Sequence, residues 1–405
     1  MKTQKKVWLI QGSRTAIGTY GRSLRGLTVD KLAEHVMRQA IRKAGISAGA
    51  IDGIILGHGY QTSYTPNTAR FAALNAGLPA SIPAMTVQRQ CGSGMEAVNL
   101  AMKDIALGYG DIYLAGGAES MSTIPYLLPG TLRYSWLASK LPKFAPMPIL
   151  FKIADDGLAP QKLVWDENSV YMSATAQRLA DTYGISRQAA DEYALRSQQL
   201  AAAALKAGRF DREVDAIEVP GRGYFGRDEH PRSTSIEKLS ALKGVLKTRD
   251  ITAGNSSGIN DGACALIVAG EDKARELGLK PLAVLVDSVV AGVDPKQMGL
   301  GPVAAITKLL ERNNLTLADI DLIEINEAFA AQYLACEKLL GLDRDKVNVN
   351  GGAIALGHPI AMSGARVILT LAHELQLRGK KRGIASLCIG GGMGIATLIE
   401  APEQA

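Results

Sequence analysis

One structural plan is written twice along this chain. In the first third, the strand-like run Val7-Trp8-Leu9-Ile10 precedes an amphipathic helical pattern over residues 28–44 and a second strand-like stretch over 51–56. Pro83-Ala84-Met85-Thr86-Val87 then leads into the glycine-bearing turn Gln88-Arg89-Gln90-Cys91-Gly92-Ser93-Gly94. Apolar residues at Met95, Val98, Ala101, Met102, Ile105 and Ala106 follow with helical periodicity. Gly108 and Gly110 break that helix, and Ile112-Tyr113-Leu114-Ala115-Gly116-Gly117 returns as a strand. The last third runs through the same order. Leu322-Ile323-Glu324-Ile325 leads into a helix over 327–340, and Val347-Asn348-Val349-Asn350 into a glycine-rich turn over 351–364. A helix over 365–377 and a strand ending at Cys388, before Gly390-Gly391-Gly392, complete it. Strands alternating with helices in both halves predict an α/β protein, a duplicated unit on two mainly parallel sheets.

Residues 121–250 have a different character. Six prolines between 125 and 160 (Pro125, Pro129, Pro142, Pro146, Pro148 and Pro160) stand among Leu, Phe and Ile, which predicts an irregular apolar lid. Ser186 is a candidate N-cap for a helix whose face carries Ala190, Tyr193, Ala194, Ser197, Leu200, Ala201 and Ala204, and Gly208 ends it. The expected organisation is therefore an N-terminal half over 1–120 and 251–275, an inserted loop domain over 121–250, and a C-terminal half over 276–405.

With 405 residues the chain can hold two or three domains of roughly 100–200 residues each. A hydrophobic share of 47% excludes a disordered chain, and 43 glycines in short clusters point to tight turns rather than a collagen-like repeat. No apolar run approaches the ~18 residues of a membrane span, and the apolar segment after Lys6 is too short for a secretory signal. A cytoplasmic location is expected. The formal charge of +6 arises from 45 basic and 39 acidic residues that are interspersed, with no basic run of nucleic-acid type. No nucleic-acid partner is expected.

The four cysteines, Cys91, Cys264, Cys336 and Cys388, have neither metal-ligand spacing nor a disulfide framework. Cys264 and Cys336 lie in apolar runs and are expected to be buried, inert thiols. Cys91 and Cys388 adjoin glycines at sharp turns. Cys91 stands where a strand turns into a helix, and a helix N-terminus favours a thiolate. His358, in Gly357-His358-Pro359, has its ring placement narrowed by the glycines before it and the proline after it, which suits a base acting on a thiol. His58, between Leu56-Gly57 and Gly59, is not easily dismissed as a surface residue. The Gly390–Gly394 stretch is followed by a strand-like run rather than a helix, so it does not fit dinucleotide binding. Exposed backbone N–H groups beside the Cys388 thiol suit an oxyanion hole. Asn326 and Glu327 lie between strand and helix, where Asn326 could be an N-cap or an amide that orients a water or carbonyl.

Taken together, six blocks resemble the thiolase family. They are Arg89-Gln90-Cys91-Gly92-Ser93-Gly94, the run from Ala115 to Ser122, the run from Thr252 to Gly262, Asn326-Glu327-Ala328-Phe329-Ala330, the run from Asn350 to Pro359, and Cys388-Ile389-Gly390-Gly391-Gly392-Met393-Gly394. They span nearly the whole chain. The resemblance implies a duplicated, five-layered α-β-α-β-α fold with an inserted loop domain. It implies Cys91 as acyl-carrying nucleophile, His358 as its base, and Cys388 as the acid/base at the α-carbon of acetyl-CoA. It further implies one oxyanion hole from His358 and an Asn326-held water, and another from the N–H groups of Cys91 and Gly390. Substrate and CoA contacts are implied at Met172, Arg232, Ala253, Ser257 and Phe329, with Lys238 near the phosphates. No permanently bound cofactor is expected; CoA and acetyl-CoA are substrates.

The sequence departs from the family pattern at Ala361, where glycine is usual, at Tyr171-Met172-Ser173, and at Leu246 near the CoA pocket. These departures bear on acyl-chain length. The expected activity is acetyl-CoA C-acetyltransferase, with a longer-chain 3-ketoacyl-CoA thiolase of fatty-acid breakdown as the alternative. A decarboxylating ketoacyl synthase would lack Cys388, and a non-catalytic lipid carrier would tend to lose catalytic residues that are all present here. A homodimer or homotetramer is expected, with the apolar lid over 124–163 as a subunit contact bordering the acyl tunnel.

Overall fold

The computed structural model describes residues 5–62, 64–127, 155–156 and 171–402. In the N-terminal half five main strands form the sheet: β1 (Val7–Arg14), β2 (Gly53–Gly57), β3 (Ala84–Val87), β4 (Ile112–Ser120) and β5 (Asn260–Gly270), with the two-residue strand Gly18–Thr19 paired on β5. Their order is β3-β2-β4-β5-β1. In the C-terminal half β6 (Ala283–Gly292), β7 (Leu322–Ile325), β8 (Arg382–Ile389) and β9 (Met393–Glu400) lie in the order β7-β8-β9-β6, with Val347 bridged in parallel to the free side of β7 at Ile323. Counted within its own half, each sheet has the same strand order, third-second-fourth-fifth-first. The duplication read from the sequence is a duplication of topology.

The sheets are not mainly parallel. β3, β2 and β4 pair in parallel, but β4–β5 and β5–β1 are antiparallel, and in the second half β8–β9 and β9–β6 are antiparallel. The reason is visible at β8–β9, where only Gly390, Gly391 and Gly392 separate the strands. A parallel crossover needs about a dozen residues, so three can close only a hairpin. Gly391 and Gly392 take φ of 93° and 86°, the left-handed region that glycine enters without steric cost. The two sheets also join edge to edge, β1 against β6, through Val7↔Leu285, Trp8↔Val284 and Leu9↔Ala283.

Helices complete five layers. α1 (Val29–Ala44) buries Val29, Leu32, Ala33, Val36, Met37, Ala40 and Ile41 on one outer face. Its period of three and four residues leaves the opposite side polar, as an outer helix requires. α2 (Ser93–Leu107), α3 (Arg187–Lys206), α4 (Gly301–Arg312), α5 (Ala330–Leu340) and α6 (Ser363–Leu377) follow along the chain. α2 and α6 form the central layer between the sheets, and thirteen of the fifteen residues of α6 are buried. α4 covers the outer face of the second sheet. The helices of the central layer touch almost backbone to backbone. A Cβ at Gly364 would fall 2.4 Å from the Met95 nitrogen, and one at Gly94 would fall 2.3 Å from the Ala361 oxygen.

Ser186 caps α3, its hydroxyl accepting from the Ala189 N–H at 3.1 Å. α5 begins at Ala330 rather than at 327, because Phe329 is extended (φ −147°) and residues 326–329 form a loop. The apolar lid over 124–163 lies largely outside the described residues. Within it, Tyr126–Leu127 pairs with Asp155–Asp156 as a short antiparallel ladder. Among the described residues no helix is long and apolar enough to cross a membrane, and no cluster of His, Cys, Asp or Glu could hold a metal ion. All four cysteines are free thiols, and Cys264 and Cys336 are fully buried.

Candidate active site

Cys91 sits on a turn wound tightly between β3 and α2. Gln90, just before it, holds φ at +45°, an uncommon value for a residue with a side chain. The turn is fixed from both sides of the thiol. The Arg89 N–H donates to Ser93 Oγ (2.8 Å), Ser93 Oγ donates to the Gln90 carbonyl (2.7 Å), and the Gly92 N–H donates to the Arg89 carbonyl (2.9 Å). At the resting site the helix start does not produce a thiolate. Burial pushes the Cys91 thiol up to about 11, against the N–H groups of Gly390 and of Cys91 itself, which favour the anion; Glu119 adds to the rise.

The same two N–H groups bring the Cys91 sulfur to the end of β8, and a Cβ at Gly92 would lie 2.6 Å from Ile389 Cδ1. Cys388 is the penultimate residue of β8, opposite Gly394. Burial holds its thiol well above the ordinary range, with smaller contributions from Cys91 and Cys336. Cys388 packs in a small apolar cluster with Met298 and Ala328, bordered by Met172 and Phe329. Gly390 faces Met172 Sδ, which is 3.6 Å from where a Cβ would stand.

His358 enters from the loop between α5 and α6, and its N–H donates to Asn260 Oδ1 (2.9 Å). Its Nδ1 is 2.6 Å from Ser363 Oγ, and that hydroxyl donates to the Pro359 carbonyl (2.9 Å). Ser363 has one hydrogen. It therefore accepts from Nδ1–H, leaving Nε2 as a bare acceptor, 3.3 Å from the amide nitrogen of Asn326. Burial, with a smaller contribution from Arg366, pulls His358 down to about 4, so the ring is a neutral base. The Asn326 Oδ1 is buried and has no protein partner among the described residues.

Glu327 holds this loop and is not an N-cap. Its carboxylate accepts from Tyr193 Oη (2.8 Å), Ser197 Oγ (2.7 Å), Asn348 Nδ2 (3.0 Å) and the Ile354 N–H (3.1 Å). It thus ties α3 to the segment that leads into His358. Ser363 and Met298 carry no motif signal and emerge only from contacts, as does the role of Glu327.

Of the residues expected to bind substrate, Met172 and Phe329 border Cys388, while Arg232 and Ala253 meet at the surface, where Arg232 Nη2 donates to the Ala253 carbonyl (3.3 Å). The Ser257 N–H donates to the Ala328 carbonyl (3.0 Å), joining that segment to the Asn326 loop. Lys238 is exposed and Leu246 is half exposed, at a left-handed φ of 47°.

The model of the thiolase N-terminal domain matches residues 7–272, and that of the thiolase C-terminal domain matches residues 279–401. The chain belongs to the thiolase family. An acetyl-CoA acetyltransferase of Syntrophomonas wolfei is 44% identical over 98% of this thiolase and 99% of its own length. One of Cupriavidus necator is also 44% identical, over 97% and 99%. Among solved structures, the acetyl-CoA acetyltransferase of Bacillus anthracis superposes with a TM-score of 0.92 at 44% identity, covering 99% of this chain and 100% of that one. Human mitochondrial 3-ketoacyl-CoA thiolase gives 0.90 at 39%, covering 98% and 100%, and has also been solved in complex with CoA.

Proposed function

We propose that this thiolase catalyses the reversible CoA-dependent Claisen condensation of two acetyl-CoA molecules to acetoacetyl-CoA and CoA, through an acyl-Cys91 intermediate. The observation that carries the reading is the approach of the Cys91 thiol, held by the N–H groups of Gly390 and of Cys91 itself, to the Cys388 thiol, in a chain whose His358 is a neutral imidazole with a bare Nε2. In the cleavage direction the Cys91 sulfur attacks the 3-keto carbonyl while its proton passes to His358 Nε2. The Cα–Cβ bond breaks, its electron pair forms the acetyl-CoA enolate, and Cys388 gives that α-carbon a proton. Incoming CoA then attacks the acyl-Cys91 carbonyl. Its thiol proton restores Cys388, and the proton on His358 returns to Cys91. Condensation is the reverse. A thiol held well above its usual range is suited to the acid half of this cycle. The N–H groups of Cys91 and Gly390, and His358 once protonated together with a water held by Asn326, would stabilise the developing oxyanions, each donor worth about 3–4 kcal/mol where well aimed.

Arg232, Ala253 and Ser257 would contact CoA at the entrance, with Met172 and Phe329 against the acyl group. Relatives named acetyl-CoA acetyltransferase favour the two-carbon reading. The longer-chain 3-ketoacyl-CoA reading is favoured by the apolar composition of 124–163 and by the likeness to the human mitochondrial enzyme. Rates of CoA-dependent cleavage across 3-ketoacyl-CoA substrates of increasing length separate them. Preference for the four-carbon substrate supports the first, and a rate that climbs with chain length the second. A cytoplasmic role in lipid metabolism and assembly into a homodimer or homotetramer belong to the same proposal. Assembly is supported by β3, an edge strand of the sheet that leaves Met85 46% exposed.

A further inference from the structure

His58 and the Ala115–Ser122 block are used by none of the steps above, yet they meet at one buried carboxylate. Glu119, fully buried near the end of β4, accepts from three backbone N–H groups on two loops. Its Oε2 takes Gly59 (3.0 Å) and Ala361 (3.2 Å), and its Oε1 takes Tyr60 (3.2 Å). Gly59 and Tyr60 belong to the loop after β2, and Ala361 lies three residues beyond His358. A Cβ at Gly117 would fall 1.9 Å from the Ala361 oxygen, so β4 presses directly on the His358 loop. His58 Nε2 lies 3.4 Å from Glu119 Oε1, and its Nδ1 lies 2.8 Å from Thr68 Oγ1.

We propose that Glu119 is a positioning residue for the acyl-transfer reaction, which it serves by clamping the His358 loop to the Cys91 half and by sharing a proton with His58 that sets the charge beside Cys91. The assignment of Cys91 as nucleophile is the reading on which this rests.

The proton count follows from the hydrogen bonds. A bare Nε2 facing an ionised carboxylate would set lone pair against lone pair, so one proton lies between Nε2 and Oε1. Thr68 Oγ1 can give its hydrogen either to the Thr65 carbonyl (3.1 Å) or to Nδ1. In the first case Nδ1 carries hydrogen and the carboxyl is protonated. In the second Nδ1 is bare, Nε2–H donates to the carboxylate, and the pair has lost one proton and gained one negative charge. Thr68 thus lets the pair titrate without moving the ring. Burial pushes Glu119 up to about 7 despite its three N–H donors, and burial pulls His58 down to about 4, so the change falls near neutrality. The other titratable groups facing Glu119 are Tyr60 on its own loop, Asp261 on β5 and Cys91 itself. A cavity of about 90 Å³, lined in part by His58, Tyr60 and Ser120, borders the pair on the His58 side.

Ionised Glu119 opposes a thiolate at Cys91. The rate of Cys91 alkylation by iodoacetamide, read on the Cys91 peptide by mass spectrometry from pH 5.5 to 9.5, should therefore climb, flatten around pH 7, and climb again. The flattening should reduce the rate by about threefold or more below an extrapolated unit slope. In Glu119→Gln the plateau should vanish. A straight unit slope in the unaltered protein overturns the proposal without recourse to any variant, as does a plateau that survives in folded Glu119→Gln. Because alkylation needs no acyl-CoA, a wrong substrate would leave this result intact. Failure of Cys91 to be acylated by acetyl-CoA, with the plateau present, would instead count against the reading of function.

Discussion

His358 Nδ1 and Ser363 Oγ stand 2.6 Å apart, and the serine's single hydrogen is engaged by the Pro359 carbonyl. This relationship fixes the tautomer of the ring and presents Nε2 as the basic nitrogen. The serine lies at the first position of α6, so a helix of the buried central layer orients the ring.

Ser363→Ala should remove that constraint. The ring would lose its only acceptor at Nδ1 and could present either nitrogen. The expected outcome is a loss of kcat of about tenfold or more with little change in KM, since the residues proposed to contact CoA lie elsewhere. Steady-state kinetics check this, and an unchanged kcat would show that the tautomer is set by other means.

Glu327→Ala should unfold the site rather than slow it. Three donors, from Tyr193, Ser197 and Ile354, would be left buried without an acceptor, while Asn348 Nδ2 would keep the Ile325 carbonyl. A loss of about 3–5 kcal/mol is expected in denaturant titration. A loss below about 1 kcal/mol would mean the donors find other partners.

Much of the frame was legible beforehand. The repeated order of strand, glycine turn and helix is a local signal, and the structure repeats it as a strand order. Parallel against antiparallel pairing was not legible from periodicity, because a strand's alternation carries no direction; the three-residue link from Ile389 to Met393 was the clue that decides it. Cys91, His358 and Cys388 stood out because glycines adjoin them, and Asn326 because it lies between a strand and a helix. Glu119 and Glu327 lie in motif blocks, but their partners, like those of Ser363, were not legible, because a buried polar side chain matters through groups that are distant in sequence, such as Glu119 and Ala361. At the Cys91 thiol the helix N-terminus is a local feature, whereas the burial that opposes it comes from the whole fold.

Stability should fall as the solution is acidified below pH 6.5. Burial pulls His58, His230, His358 and His373 each to about 4, so between pH 4 and 6.5 the unfolded chain binds four protons that the folded chain refuses. Glu119, raised to about 7, and Glu324, raised to about 8, act in the opposite sense, holding two protons only when folded. Glu213 and Asp261 are also raised. Near pH 5.5 these groups should thus take up about two protons on unfolding, with His35, also lowered by burial, adding to the uptake, and stability should rise with pH there. Denaturant midpoints measured from pH 5 to 7 check the sign. A stability that increases on acidification would contradict it.

Gly117→Ala should be far costlier than its single methyl suggests. The new Cβ would lie 1.9 Å from the Ala361 oxygen, and that backbone is packed between β4 and α2. A loss of about 3 kcal/mol or more is expected in thermal or denaturant unfolding. A near-neutral result would mean that the His358 loop can retreat from β4.

The central claim is that acyl groups pass through Cys91 while Cys388 moves protons at carbon. The most direct measurement is mass spectrometry of the enzyme after incubation with acetyl-CoA, in the unaltered protein and in Cys388→Ser. An added acetyl group on the Cys91 peptide in both, with condensation and cleavage largely lost in Cys388→Ser, is the predicted result. An acetyl group found only on Cys388, or near-normal turnover in Cys388→Ser, would contradict the account.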